Sequence, residues 1–280
     1  MELQQYVEQF HSQGLGVCVI SYDSVEILAD FAKRKNITVP LLSDPKSEII
    51  RAFGVINTAV PAGHMWYGVP YPGTFMVGQD GTVRSKYFED SYRDRYSAPT
   101  ILLREFGSEA GTRETSVRTD HLELKYFATK DPVRPNLHLT LVADFQLKPK
   151  MHVYAPGVQK YISIRLELEP APLYKAQPPA YPQSEKLYLA PIQETALVFQ
   201  GKFRVTQDVT LAGNDLFEPI LSGKKELKIR GQLRYQACDD KICYLPQNLP
   251  LEWTFHVEPL ERQRVPEAIQ HKAGTASGGR

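Results

Sequence analysis

The feature that most limits what this chain can fold into is a change of hydrophobic period near residue 107. Before it, apolar residues fall at helical spacing, as at Leu3, Tyr6, Val7 and Phe10, or in short β-branched runs such as Val17-Cys18-Val19-Ile20. Beyond it, apolar and polar residues alternate through Leu122 to Ala128, Leu137 to Leu147, Tyr161 to Leu168, Ala196 to Val205, Leu227 to Tyr235 and Leu251 to Val257, with prolines and glycines between them. A period near 3.6 turns one stripe of a helix into a core, and a period of two turns one face of a strand there. The pattern predicts an α/β domain followed by an all-β sandwich. A chain of 280 residues is also long for one core and comfortable for two.

Within the first part, Gly14 and Gly16 close one amphipathic helix through Phe10, and the run 17–20 reads as a buried strand, which makes Cys18 a core thiol. Asp23 and Glu26 form a capping-box pattern ahead of a helix with Leu28, Phe31 and Ala32 on its apolar face. Ser43-Asp44-Pro45 starts a third helix through Ile49, Ile50 and Phe53, ended by Gly54. Gly73 to Val77 and Thr82 to Tyr87 are predicted strands joined across Gln79-Asp80-Gly81, and Pro99 opens a last helix ending near Phe106. The predicted division is 1–106 for the α/β domain, 107–120 for a polar linker, 121–262 for the sandwich and 263–280 for a disordered tail.

Charge and composition exclude several function classes. Lys plus Arg number 33 against 32 for Asp plus Glu, so no field favours nucleic acid. No apolar run is long enough to cross a bilayer, and Met1 to Phe10 has neither the basic start nor the apolar centre of a signal peptide, so a soluble chain is expected. Three cysteines are too few for a disulfide-stapled scaffold. No phosphate loop, Ser-His-Asp set or paired carboxylates stand out, and neither a cofactor nor a metal is expected. The tyrosines at Tyr67/Tyr71 and Tyr92/Tyr96 read as surface packing.

SYDSVEILADFAKRKNITVPLLSDPKSEIIRAFGV and the later YPGTFMVGQDGTVR resemble the peroxiredoxin (AhpC/TSA) branch of the thioredoxin superfamily, over roughly residues 1–106. The resemblance implies a thioredoxin-like fold in which Pro72 is the family's cis-proline, ahead of Gly73 and Thr74. The family's reactive cysteine would fall before Met1, so this domain is expected to be incomplete.

From about residue 121 to 258 the chain resembles the N-terminal domain of the thiol:disulfide interchange protein DsbD, an immunoglobulin-like sandwich. The strongest match is Tyr235-Gln236-Ala237-Cys238-Asp239-Asp240-Lys241-Ile242-Cys243-Tyr244-Leu245-Pro246, with one residue fewer between the cysteines than in the family's best-known member. Met151-His152-Val153-Tyr154 resembles the aromatic segment beside that family's disulfide, and Pro182 to Ala190 is placed as its cap loop. The resemblance implies that Cys238 and Cys243 are a catalytic pair exchanging electrons with a thioredoxin-like protein or domain through a mixed disulfide. It implies His152 as a proton relay, Tyr154 and Tyr244 as shields and Tyr235 as part of the shell. It also points to the cell envelope. Disulfide-bonded Cα atoms lie ~4.4–6.8 Å apart, whereas five extended steps span ~17 Å, so Asp239-Asp240-Lys241 has to turn the chain. The two aspartates raise a nearby thiol's pKa and Lys241 lowers it, which leaves open which sulfur is activated.

The residues alone leave the pair open between an exchanging disulfide and a staple that pins a hairpin. A zinc site with His152 or His256 is disfavoured, since CxxxxC lacks ligand spacing and no second pair exists. Two rival functions remain: a thiol peroxidase whose reactive cysteine lies upstream, and a non-enzymatic interaction module.

Overall fold

The computed structural model describes residues 2–64, 66–88, 95–107, 113–189, 193–260, 263 and 265–270. The predictions for Tyr92, for 108–112 of the linker, for Ala190 and for most of the tail lie outside the described residues. The chain divides into two compact units, Met1–Ser108 with Glu261–Arg280, and Glu109–Leu260. They are the two fold classes expected, a thioredoxin-like α/β unit and an immunoglobulin-like all-β sandwich. No helix among the described residues is long and apolar enough to cross a membrane.

The first unit runs α1 (Glu2–Gln5), α2 (Val7–Ser12), β1 (Val19–Ser21), α3 (Val25–Lys35), β2 (Leu41–Ser43), α4 (Glu48–Ala52), β3 (Gly73–Val77), β4 (Val83–Phe88), β5 (Arg95–Tyr96) and α5 (Ala98–Phe106). The single opening helix predicted is two short ones, because Tyr6 leaves helical geometry at φ −114° and caps the second. The cap of α3 is Ser24 rather than Asp23: its hydroxyl accepts the Ile27 N–H, while Asp23 accepts from Ser21. Asp44 serves α4 as predicted, but at longer range, its two carboxylate oxygens accepting the N–H groups of Glu48 and Ile50 at 2.9 Å each. β1 and β2 pair in parallel, and β3 and β4 form the predicted hairpin with Gly81 at φ +77°, a value that favours glycine. The small core joins Phe10, Tyr87, Ala98, Ile101 and Leu102.

Two expectations for this unit are corrected. Cys18 is exposed and free. Its neighbour Val17 packs on the Phe10 core, and successive residues of an extended chain face opposite ways, so the thiol points outward. Pro72 is not a cis-proline; the cis peptide among the described residues precedes Pro132. The trans form is the favoured one for X-Pro by ~0.5–1 kcal/mol, and the chain before Pro72 is already fixed by the Tyr71 N–H, which donates to the Val55 carbonyl at 2.7 Å.

In the second unit the strands are β6 (Thr115–Arg118), β7 (Leu122–Ala128), β8 (Leu137–Leu147), β9 (His152–Tyr154), β10 (Arg165–Leu168), β11 (Tyr174–Ala176), β12 (Glu185–Leu189), β13 (Glu194–Gln200), β14 (Lys202–Leu211), β15 (Glu226–Tyr235), β16 (Ala237–Cys238) and β17 (Gln247–His256). Among the described residues a helix, α6 (Asn214–Leu221), interrupts them and buries Phe217. The sheets run β11-β14-β8-β7-β6, β10-β15-β17 and β12-β13-β9-β16. Alternation along β7, β8 and β14 turns Leu124, Leu139, Leu141, Val205 and Val209 inward, against Ile229, Leu233, Trp253 and Phe255 of β15 and β17. At ~1.5–3 kcal/mol for each fully buried large apolar side chain, this core is the main source of the unit's stability.

Here too the structure departs from expectation. The residues predicted as linker include β6, which pairs with β7 and leans Val117 on the core. The predicted strand Ala196 to Val205 is two strands, because Gly201 at φ +58° breaks the run between β13, which pairs with β9, and β14, which pairs with β8.

Candidate functional site

The site is built on the sheet β12-β13-β9-β16. β9 pairs with β16 so that Val153 stands opposite Ala237 and His152 opposite Cys238. Residues directly opposite in an antiparallel pair share a face, and neighbours alternate. Val153 and Ala237 therefore enter the main core, while His152, Tyr154 and Cys238 occupy the reverse face. There Tyr154 and Cys238 join Ala196 and Val198 of β13 in a second, smaller apolar cluster, flanked by Tyr161, Leu187 and Leu189.

Immediately after β16 the chain reverses and Cys238 is bonded to Cys243, with Cα atoms 4.0 Å apart. Asp239 makes the reversal. Its Oδ1 accepts the N–H groups of Lys241 and Ile242 at 2.8 and 2.9 Å, and its own N–H donates to the Ile242 carbonyl at 2.9 Å. This is an Asx turn, in which a side-chain oxygen replaces a backbone carbonyl as the acceptor. Oδ2 accepts the Tyr244 hydroxyl at 2.9 Å. Those bonds, the Ile242 N–H first, hold the Asp239 carboxyl below its usual pKa and raise the pKa of Tyr244. Two bonds tie the far side down: the Tyr244 N–H to the Ala237 carbonyl, and the Gln236 side chain to the Tyr244 carbonyl, each 2.9 Å.

The sulfurs are unequally placed. Cys238 is 1% exposed, whereas Cys243 lies on the exposed part of the turn. The Tyr154 hydroxyl is 3.9 Å from Cys243 Sγ, and since that sulfur carries no proton the hydroxyl is the donor. The Tyr154 ring stacks on Tyr161 at 4.1 Å, and Tyr161 donates to Glu194, which also pairs with Lys160. Burial, then Tyr161 and Glu194, push the Tyr154 hydroxyl's pKa up. His152 is 2% exposed, and its Nε2 has no hydrogen-bond partner among the described residues. Burial lowers its pKa against the smaller opposite pull of Asp240 and Asp239, so the ring is neutral at pH 7.

The structure thus brings together Cys238, Cys243, His152, Tyr154 and Tyr244. It does not add Tyr235, which faces the main core and bonds Thr119 at 2.9 Å. Tyr235 and Ala237 share a face, and Cys238 has the other. Pro72, Gly73 and Thr74 lie in the other unit. Of the predicted cap loop, 185–189 form β12, whose Leu187 and Leu189 flank the cluster holding Cys238. The alternative zinc ligand His256 sits at the far end of the β15–β17 ladder, opposite Glu226, and pairs with Asp131 at 3.0 Å. No group of three potential ligands occurs among the described residues. Sequence reasoning missed three features: the clamp by Asp239, the Tyr161–Glu194–Lys160 brace and His121, whose ring lies 4.5 Å from that of Tyr244. An Asp two residues before a turn N–H was the signal available for the first.

Comparison with known proteins matches different families to the two parts of the chain. The AhpC/TSA family matches residues 1–86, and the N-terminal part of the thiol:disulfide interchange protein DsbD matches residues 125–251. A putative peroxiredoxin of Mycobacterium tuberculosis is 39% identical over 74 residues, 26% of this chain and 46% of that protein. The putative peroxiredoxin bcp of Haemophilus influenzae is 29% identical over 91 residues, 32% of this chain and 58% of its own. The chain therefore spans about half the length of these curated relatives. Among solved structures, the N-terminal periplasmic domain of ScsB from Proteus mirabilis aligns with 52% of this chain and 51% of its own, at 13% identity and a TM-score of 0.36. The reduced DsbD N-terminal domain of Neisseria meningitidis aligns with 47% of this chain and 86% of its own, at 16% identity and a TM-score of 0.30.

Proposed function

We propose that this chain is a thiol–disulfide oxidoreductase that passes electrons through Cys238 and Cys243 to or from a thioredoxin-like partner. The observation that carries the reading is the unequal exposure of two bonded sulfurs inside the segment matched to DsbD. A staple needs neither an open sulfur nor polar side chains beside it; an exchange centre needs one sulfur that an incoming thiolate can reach.

The steps follow from that asymmetry. A partner thiolate attacks Cys243 Sγ along the S–S bond, forming a mixed disulfide, and Cys238 leaves as a thiolate. The partner's second thiolate then attacks its own sulfur in the mixed disulfide, the electron pair passes to Cys243, and the partner departs oxidised. Two electrons have entered the pair, and two protons complete the thiols. The reverse sequence oxidises the pair. Tyr154, beside Cys243, donates to that sulfur as it gains charge, and His152, opposite Cys238, is placed to donate to the buried thiolate. Tyr244 shields the turn from one side. The likeness of residues 1–86 to AhpC/TSA supports thiol redox chemistry for the chain.

Single-cysteine variants test the order of attack. In a Cys18→Ser background, Cys238→Ser and Cys243→Ser are each capped on the remaining pair cysteine with an aromatic disulfide and mixed with reduced thioredoxin. The Cys243 adduct is expected to react about ten-fold faster or more. Equal rates would remove the assignment of the attacked sulfur. No exchange at either, with the wild-type disulfide untouched by thioredoxin, would leave the interaction module as the reading. Consumption of hydrogen peroxide at a rate matching thiol oxidation would favour the peroxidase.

A further inference from the structure

We propose that Asp239 sets the reduction potential of the Cys238–Cys243 pair by holding the turn closed whether or not the sulfurs are bonded. Three of its bonds bear on this: Oδ1 to the N–H groups of Lys241 and Ile242, and Oδ2 to the Tyr244 hydroxyl. None of them involves a sulfur. With the disulfide formed, the S–S bond itself closes the loop. With it reduced, these bonds, together with Asp239 N–H to Ile242, Tyr244 N–H to Ala237 and the Gln236 side chain to the Tyr244 carbonyl, keep the thiols facing each other.

Linkage makes the two closures reciprocal: whatever factor the turn gains from the disulfide, the disulfide gains from the turn. A preformed turn raises the effective concentration of one thiol at the other, since less chain freedom remains to be lost on closing the loop. The pair is thereby biased towards the oxidised state and made a stronger reductant. Asp239 is a positioning residue here: it acts on the sulfurs through backbone geometry and touches neither. Its neighbour Asp240 is exposed and carries a like charge at the same turn, which separates geometry from electrostatics. Removing a negative charge would also make the pair easier to reduce, by favouring thiolates.

The inference deepens the reading above at the same site, but its test needs no protein partner. The full chain carrying Cys18→Ser is equilibrated with reduced and oxidised glutathione, and the bonded fraction of Cys238 and Cys243 is read by mass after alkylation. Asp239→Ala is expected to lower the equilibrium constant for disulfide formation about ten-fold, a potential ~30 mV less negative. Asp239→Asn keeps an Oδ1 acceptor for both N–H groups and is expected to stay within about two-fold, as is Asp240→Asn. Tyr244→Phe, which removes one bond from the clamp, should fall between, at about two- to three-fold, and carries the test if the alanine variant fails to fold. An Asp239→Ala protein with wild-type equilibrium would overturn the proposal. So would Asp239→Asn or Asp240→Asn shifting as far as the alanine, because charge and not the turn would then be responsible. A pair that thioredoxin cannot reduce, yet whose glutathione equilibrium moves as described, would overturn the function and leave the role of Asp239 standing.

Discussion

In the first unit the lone thiol, Cys18, stands exposed beside a three-residue strand, and among the described residues β1 pairs only with β2 and β3 only with β4. In the second unit both sulfurs are bonded, Cys238 is enclosed, and the sheet beneath them rests on an extended core. The difference teaches that exposure of a thiol and readiness for exchange are separate properties. Cys18 is open and unbonded to another cysteine. Cys243 is exposed too, but its position is fixed by an Asx turn and a tyrosine hydroxyl. A rigid shell around a reacting atom is what keeps it in productive geometry.

Replacement of cysteines is the harshest way to break the contrast. Cys238→Ser or Cys243→Ser should abolish reduction by thioredoxin as followed by coupled NADPH oxidation, while Cys18→Ser should leave the rate unchanged. Next in size is the contrast between the cores. Ile229→Ala, at a fully enclosed position of the sandwich, should cost ~2–5 kcal/mol in urea unfolding, while Ile49→Ala, exposed on α4, should stay within ~0.5 kcal/mol. Acid comes third. Burial depresses the His152 pKa below its unfolded value of 6.5, so the unfolded chain binds the extra proton and the sandwich loses stability as pH falls through 6.5 towards the folded value. His152→Phe should flatten that part of the profile, read by Trp253 fluorescence. The smallest effect is expected at Glu252, where Lys228 and Arg230 pull the carboxyl down to about 2. Its contribution is present above the unfolded value of 4.5 and lost as pH falls through about 2, so Glu252→Gln should alter only the acid limb of unfolding.

Legibility followed the physics of each element. The alternation of Leu122 to Ala128 and Leu137 to Leu147 gave those strands to the residue, because a period of two in the apolar side chains marks a strand even where, as in β8, the other face is also covered. The Cys238–Cys243 turn was foreseen because a bond length constrains it. Other features turn on parity or on a single backbone angle, which periodicity does not register. Tyr235 and Tyr244 look alike in the chain, but only the second is on the disulfide's side, since one residue of shift reverses the face. Gly201 sits within an alternating run and divides it by adopting φ +58°. Phe217 belongs to a short helix with Pro219 inside it, so α6 carried a breaker where a former was needed. Thr115 to Arg118 is polar enough to read as linker, and its strand exists only because β7 supplies the partner edge.

Mass-mapped alkylation of native protein, before and after addition of reduced thioredoxin, is the most direct test of the central claim. A working redox centre predicts that Cys238 and Cys243 begin bonded and resist alkylation, that both become labelled rapidly once thioredoxin is added, and that Cys18 is labelled equally in both samples. A bond that survives thioredoxin and yields only after the sandwich is unfolded would contradict it, and would make the pair a staple.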